Sequence, residues 1–284
     1  MSTTLETGRF TAAGGLSLQQ RRWSGERAER ALVIVHGFAE HSARYDFAAR
    51  WFAERGYRVH AFDRRGHGES EGPRNYTPRF DALLDDVERF LARVREEEGR
   101  RPLILLGHSM GGLEVACLLA RRRPEVAAAV LSGPGLALGE GISRSWLRAA
   151  SLLSSVAPRL RLPSGLDAGG LARDPAVVAA YRADPLIHTF MTARLAAELL
   201  AALGGVQEAA ARIEVPVLIV HGEADPLCDV AGSRRFHGAL ESEGSSILTY
   251  PGLLHEVLNE PEREQVLADI RAWIEKRVAG EGTA

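Results

Sequence analysis

Apolar residues fall into two rhythms along the chain. Short unbroken runs stand at 31–35 (A-L-V-I-V), 103–106 (L-I-L-L) and 126–131, with similar runs at 57–62, 215–220 and 247–250. Runs of this length, bounded by turn formers, predict strands buried on both faces of a sheet. Between them the apolar positions recur every three or four residues, as on one face of a helix. This predicts helices over 45–55, with Phe47, Trp51 and Phe52 inward, over 79–98, 113–120 and 262–278, and from beyond Asp225 to about 240. Residues 8–23 read as two edge strands turning at Gly14-Gly15. The alternation predicts an α/β fold, a mainly parallel sheet of eight strands with helices on both faces.

The rhythm breaks between 136 and 205. That stretch is rich in Ala, Leu, Arg and Ser, and Pro158, Pro163, Gly169-Gly170, Pro175 and Pro185 interrupt it. It shows no strand pattern and reads as short helices inserted between two strands. The expected organisation is a core of 1–135 and 206–284 with an inserted helical cap of 136–205. Within the cap, residues 143–162 place Trp146, Ala150, Leu153, Ala157 and Leu160 at helical spacing, and Pro158 should end or kink that helix. Leu147, Leu152 and Val156 widen the apolar face, and Arg144, Arg148, Arg159 and Arg161 flank it. Most such stripes pack on a core. Trp and Leu bordered by Arg also suit a membrane interface, so transient contact of the cap with lipid surfaces is expected.

Composition narrows the function classes. With 284 residues, 45% hydrophobic and 25% charged, the chain matches a soluble globular protein. A formal net charge of −2 gives no reason to expect a nucleic-acid partner. The start of the chain lacks an apolar signal core, and no stretch approaches the roughly 20 apolar residues of a membrane span. A cytoplasmic protein, at most peripheral to membranes, is expected. The two cysteines, Cys117 and Cys228, do not suggest a disulfide framework. Cys117 falls in a helix as a core thiol; Cys228, three residues from Asp225, should lie close to the site described next.

The chemistry centres on 102–112, P-L-I-L-L-G-H-S-M-G-G. Strand, Gly-x-Ser-x-Gly, helix is the context of a nucleophile elbow, with Ser109 at its tip and helix N–H groups facing the reacting oxygen. A serine hydroxyl is a weak nucleophile and needs a base, which needs an orienting carboxylate. Asp225 and His255 each stand five residues past a predicted strand end, where open α/β sheets place their sites. The order Ser, Asp, His is that of α/β-hydrolases. Asp229 competes with Asp225, and either could instead cap the following helix. His36-Gly37 after the strand at 31–35 lets backbone approach a substrate, so the N–H of Phe38 is the candidate second oxyanion donor beside that of Met110. No His/Cys cluster has metal-ligand spacing and no phosphate loop is present, so neither metal nor cofactor is expected.

His36-Gly37-Phe38-Ala39-Glu40-His41-Ser42-Ala43-Arg44-Tyr45 resembles the H-G-x-x-E-H-S-x-R-Y signature of monoacylglycerol lipases and related lysophospholipases. The loop from Asp63 to Gly72, the elbow, Arg173-Asp174-Pro175, Tyr181 to Leu186, Asp225 to Asp229 and His255 to Glu260 fit the same family. The resemblance implies an α/β-hydrolase core with a helical cap, and hydrolysis of monoacylglycerols to fatty acid and glycerol without a cofactor. It implies a triad of Ser109, Asp225 and His255. It also matches Glu40 and Arg44 to polar positions near the glycerol head group, where the alternative is a structural salt bridge behind the oxyanion loop. Leu258 stands where animal members carry a second histidine, which loosens the expected preference for monoacylglycerols. Two rivals share the same residues: a broader carboxylesterase acting on short or xenobiotic esters, and a small-ligand receptor that keeps the triad but turns over slowly.

Overall fold

The computed structural model describes residues 3–140 and 143–278. The side chain of Arg144, expected to flank the cap helix, lies outside the described residues, as do the last six residues of the expected core. Strands β1 (Thr4–Thr11), β2 (Ser17–Ser24), β3 (Arg30–Val35), β4 (Tyr57–Phe62), β5 (Leu103–His108) and β6 (Ala128–Ser132) alternate with α1 (Asp46–Ala53), α2 (Asp81–Glu98) and α3 (Met110–Arg122). Then come α4 (Arg144–Leu153), β7 (Arg161–Pro163), α5 (Pro175–Ala183), β8 (Phe190–Thr192) and α6 (Ala193–Ala209). The chain closes with β9 (Val217–Gly222), α7 (Val230–Gly238), β10 (Ser246–Tyr250) and α8 (Arg263–Arg277).

Eight strands form one sheet in the order β1-β2-β4-β3-β5-β6-β9-β10. β1 and β2 pair antiparallel and β2 joins β4 antiparallel; every later pairing is parallel. The unbroken apolar runs follow from this burial. In β3, Ala31, Val33 and Val35 face the layer holding α2 and α3, while Leu32 and Ile34 face the layer of α1 and α8. In β5, Leu103 and Leu105 face the first layer and Ile104 and Leu106 the second. Each such large apolar side chain contributes roughly 1.5–3 kcal/mol on burial, so the middles of β3 and β5 are apolar on both faces and their buried polar residues, Arg30 and His108, stand at the strand ends. The loops at the carboxyl ends of β3, β5, β9 and β10 gather along one edge of the sheet, and the site sits there.

The segment between β6 and β9 differs in detail from its sequence reading. It holds a two-stranded antiparallel ribbon, β7 with β8, which three-residue strands leave without a periodic signature. α6 runs unbroken past the expected boundary at 205/206 and lays Ala202 and Val206 into the core. α4 is capped by Ser143, whose hydroxyl accepts from the N–H of Trp146, and stops at Leu153. A proline ring clashes with the carbonyl four residues earlier, so Pro158 bars the helix from running on. The expected stripe therefore breaks. Leu147 and Ala150 are buried and Trp146 packs beside them, whereas Leu153 and Leu160 are exposed. Leu152 and Val156 are the most open large apolar side chains among the described residues, 78% and 79% exposed. No described helix is long and apolar enough to cross a membrane.

Candidate active site

The elbow forms as its spacing demands. Ser109 has φ 53° and ψ −118°, a conformation that costs an L-residue strain and is held by its surroundings. Its N–H donates to the Ser132 carbonyl at 3.0 Å, and its carbonyl accepts from the N–H of Leu113 at 3.1 Å. A Cβ at Gly111 would collide with the carbonyls of Val35 and His36, so only glycine lets α3 seat against the end of β3.

Three loops bring Ser109, Asp225 and His255 together. His255 Nε2 lies 2.8 Å from Ser109 Oγ, and His255 Nδ1 lies 2.7 Å from Asp225 Oδ2. Nδ1 faces a carboxylate and carries the ring proton, which leaves Nε2 free to accept from the serine. Asp225 Oδ1 accepts from the N–H groups of Leu227 and Cys228 at 2.8 and 2.9 Å. Asp229, the competing acid, is exposed and accepts from the N–H of Ala231 at the start of α7.

One participant escaped the sequence reading. His221, fully buried at the end of β9, places Nε2 3.1 Å from Asp225 Oδ2 and 3.0 Å from the Cys228 carbonyl. Both neighbours accept, so Nε2 carries the proton, and Nδ1 accepts from the Ser233 hydroxyl at 2.8 Å. Its signal is a His four residues before Asp225, just past the strand predicted at 215–220, to which the sequence pattern assigns no role.

The charges favour a working base. Burial alone would raise the Asp225 carboxyl, but the charge of His255 and hydrogen bonds from His221 and His255 hold it well below the usual carboxylate range. Burial alone would lower His255, yet the Asp225 carboxylate holds it above the ordinary histidine value of 6.5. His108, next to Ser109, is pushed down to about 4 by burial and by His255, and stays neutral.

Phe38 and Met110 line one cavity with Ser109 and His255. Among the described residues, neither of their N–H groups donates to a protein acceptor. Glu40 and Arg44 lie beside them but are engaged. Arg44 meets Glu256 through two hydrogen bonds, 2.6 and 2.9 Å, and Glu40 at 2.9 Å. Glu40 also accepts from the Tyr45 hydroxyl at 2.7 Å and from the N–H of Gly37. Glu40 and Glu256 both line the cavity, and the Arg44 guanidinium stacks 4.9 Å above the ring of Tyr181. The Tyr181 hydroxyl is buried and, among the described residues, has no partner. Glu256 was read in sequence only as part of a motif; its partner lies 212 positions away.

The cavity encloses about 900 Å³ of empty space, solvent at its mouth included. Leu138, Leu147, Met191, Leu199 and Leu203 are among its apolar lining, and Glu40, Glu256 and Tyr181 line it too. Cys228 is a buried wall residue whose thiol burial pushes well up. Asp225, Cys228 and His255 bring ligand-type atoms within 4.8 Å of one another. Asp225 and His255 spend those atoms on each other and the thiol is protonated, which fits a hydrogen-bonded relay better than a metal site. Leu258 is buried in the core and offers the cavity nothing polar.

Comparison with known proteins agrees with this arrangement. The family model described as Hydrolase_4, Serine aminopeptidase, S33, matches residues 26–262. A monoacylglycerol lipase of Mycolicibacterium smegmatis is 38% identical over 276 residues, 96% of this chain and 98% of the relative. The monoglyceride lipase of Homo sapiens is 35% identical, covering 96% of this chain and 91% of the relative. The crystal structure of a monoacylglycerol lipase of Paleococcus ferrophilus superposes with a TM-score of 0.83 at 31% identity, over 92% of this chain and 99% of the other.

Proposed function

The chain belongs to the monoacylglycerol-lipase-like family of α/β-hydrolases and is a serine hydrolase, and from that footing we propose that it cleaves monoacylglycerols to fatty acid and glycerol through an acyl-enzyme. The observation that carries the reading is the unbroken relay from Ser109 Oγ through His255 to Asp225, opening on a mainly apolar cavity that Glu40, Glu256 and Tyr181 also line. Ser109 Oγ attacks the ester carbonyl as its proton passes to His255 Nε2. The imidazolium so formed is stabilised by Asp225. The N–H groups of Phe38 and Met110 donate to the oxyanion, each worth ~10²–10³ in turnover. The bond to the alcohol oxygen breaks as His255 delivers the proton and glycerol leaves. Water then attacks the acyl-enzyme, gives its proton to His255, and the fatty acid departs as Ser109 regains a proton.

The apolar wall would take the acyl chain and the Glu40–Glu256–Tyr181 group the glycerol. In that arrangement Glu40 accepts from glycerol hydroxyls, and Arg44 holds both carboxylates in place. The inserted segment of 136–205 acts as a cap over this cavity, and its outward Leu152 and Val156, with Arg148 and Arg159 nearby in sequence, dock it reversibly on lipid surfaces. The test is a series of monoacylglycerols of rising chain length, run against methyl esters of the same acids and against di- and triacylglycerols. Preference for the monoacylglycerol at equal chain length supports the glycerol assignment. Equal rates on the methyl esters would make the protein a general carboxylesterase.

A further inference from the structure

Behind the oxyanion loop lies an ion pair that the steps above do not use. Arg64, from the loop after β4, and Glu114, near the start of α3, face each other at 1% and 0% exposure. A buried ion pair is weak support for stability, because desolvating both charges offsets their attraction. This one is also incompletely satisfied: Arg64 Nε and Glu114 Oε2 have no partner among the described residues.

The other prong of the guanidinium shows what the pair holds. Nη1 donates to Glu114, and Nη2 donates to the carbonyl oxygen of Gly37. That carbonyl belongs to the same peptide unit as the N–H of Phe38. A trans peptide is planar, and its C=O and N–H point in opposite directions. Drawing the carbonyl toward Arg64 therefore aims the Phe38 N–H away from it, into the cavity shared with Ser109 and Met110. His36 supports the same orientation: its Nδ1 lies 2.8 Å from the Gly37 carbonyl oxygen, while its Nε2 accepts from the backbone N–H of Arg64 at 2.9 Å.

The orientation needs such support because of the residue that carries it. A Cβ at position 37 would stand 2.7 Å from Glu40 Oε1 and 3.1 Å from Ser109 Cβ, so glycine is required for the loop to lie against the serine. Glycine also leaves the neighbouring peptide free to rotate. Glu114, in turn, belongs to the helix that begins with Met110. One guanidinium thus ties the loop bearing the Phe38 N–H to the helix bearing the Met110 N–H.

We propose that Arg64 is a positioning residue for the oxyanion hole, which fixes the Gly37–Phe38 peptide and, through Glu114, its distance from the start of α3. The proposal rests on the reading of Phe38 and Met110 as the oxyanion donors. Hydrogen bonding at the carbonyl also polarises the peptide and strengthens its N–H as a donor.

The test uses Arg64→Met, Arg64→Lys and Glu114→Gln in the full chain, with a short soluble ester and two reversible inhibitors of equal chain length. One is an alkyl trifluoromethyl ketone, which adds to the serine as a tetrahedral oxyanion; the other is an alkyl ether, which cannot. Arg64→Met should lower kcat by ~10²-fold, the scale of one lost oxyanion donor, with KM little changed. Affinity for the ketone should fall in step with kcat/KM, and affinity for the ether should hold. Arg64→Lys should recover only part of the loss, since an ammonium lacks the fork that reaches both partners. Glu114→Gln, which still accepts from Arg64 but leaves its buried charge unpaired, should fall between the parent and Arg64→Met in kcat. If Arg64→Met does not fold, Arg64→Lys carries the same comparison. A folded Arg64 variant with parental kcat, or one that loses ketone and ether affinity equally, overturns the proposal. If the parent itself binds the ketone no better than the ether, the oxyanion reading fails, and the proposal with it.

Discussion

His221 donates to Asp225 across 3.1 Å, onto the same carboxylate oxygen that His255 Nδ1 meets at 2.7 Å. With the two backbone N–H groups on Oδ1, the carboxylate is fixed from both sides and held ionised. An amide in its place would offer an N–H where an acceptor is needed and favour the wrong tautomer of His255. Asp225→Asn should therefore lower turnover by ~10⁴-fold. Asp229→Ala should leave turnover near the parent value and cost about 1 kcal/mol of stability as a lost helix cap. Steady-state kinetics and thermal unfolding of both variants check this, and the opposite ranking would reassign the acid.

The pH dependence follows from His255. Only the neutral imidazole can take the serine proton, and Asp225 holds its pKa above 6.5. Rate should rise with pH as His255 loses its proton, so the acidic limb of kcat/KM should have its inflection above 6.5. His108, with a pKa of about 4, stays neutral across that range and adds no second limb. In Asp225→Asn the residual activity should show the limb at lower pH, because the carboxylate that raises His255 is gone. An inflection that does not move would separate the limb from this histidine.

The inserted segment of 136–205 offers a different surface from the one its sequence suggests. Leu147 lines the cavity, whereas Leu152 and Val156 face outward. Leu152→Ser with Val156→Ser should weaken co-sedimentation with liposomes and slow hydrolysis of long-chain monoacylglycerols, while a short soluble ester is turned over as before. Leu147→Ser should impair both substrates, because it alters the cavity wall. Liposome binding unchanged in the outward double variant would remove the cap from the lipid-docking account.

What the sequence made legible has a common physical basis. Strands buried on both faces, such as β5 and β9, carry apolar runs whose ends fix where Ser109 and Asp225 leave the sheet, while His255 follows β10, a half-buried edge strand. The features that escaped it depend on partners far apart in the chain. Arg44 finds Glu256 across 212 positions and Arg64 finds Glu114 across 50, and no local pattern marks either pair. His221 sits at a strand end, where an apolar period gives no hint of a polar duty. The β7–β8 ribbon is too short for periodicity, and α4 ends at Leu153 although the apolar spacing alone runs on to Leu160.

The central claim is that Ser109 carries acyl transfer from a monoacylglycerol. Its most direct test is the release of glycerol from a long-chain monoacylglycerol by the parent and by Ser109→Ala, with folding of both confirmed by circular dichroism. The account predicts steady release by the parent and a loss of ~10⁴-fold or more in the variant. A folded Ser109→Ala protein that releases glycerol within tenfold of the parent rate would contradict it.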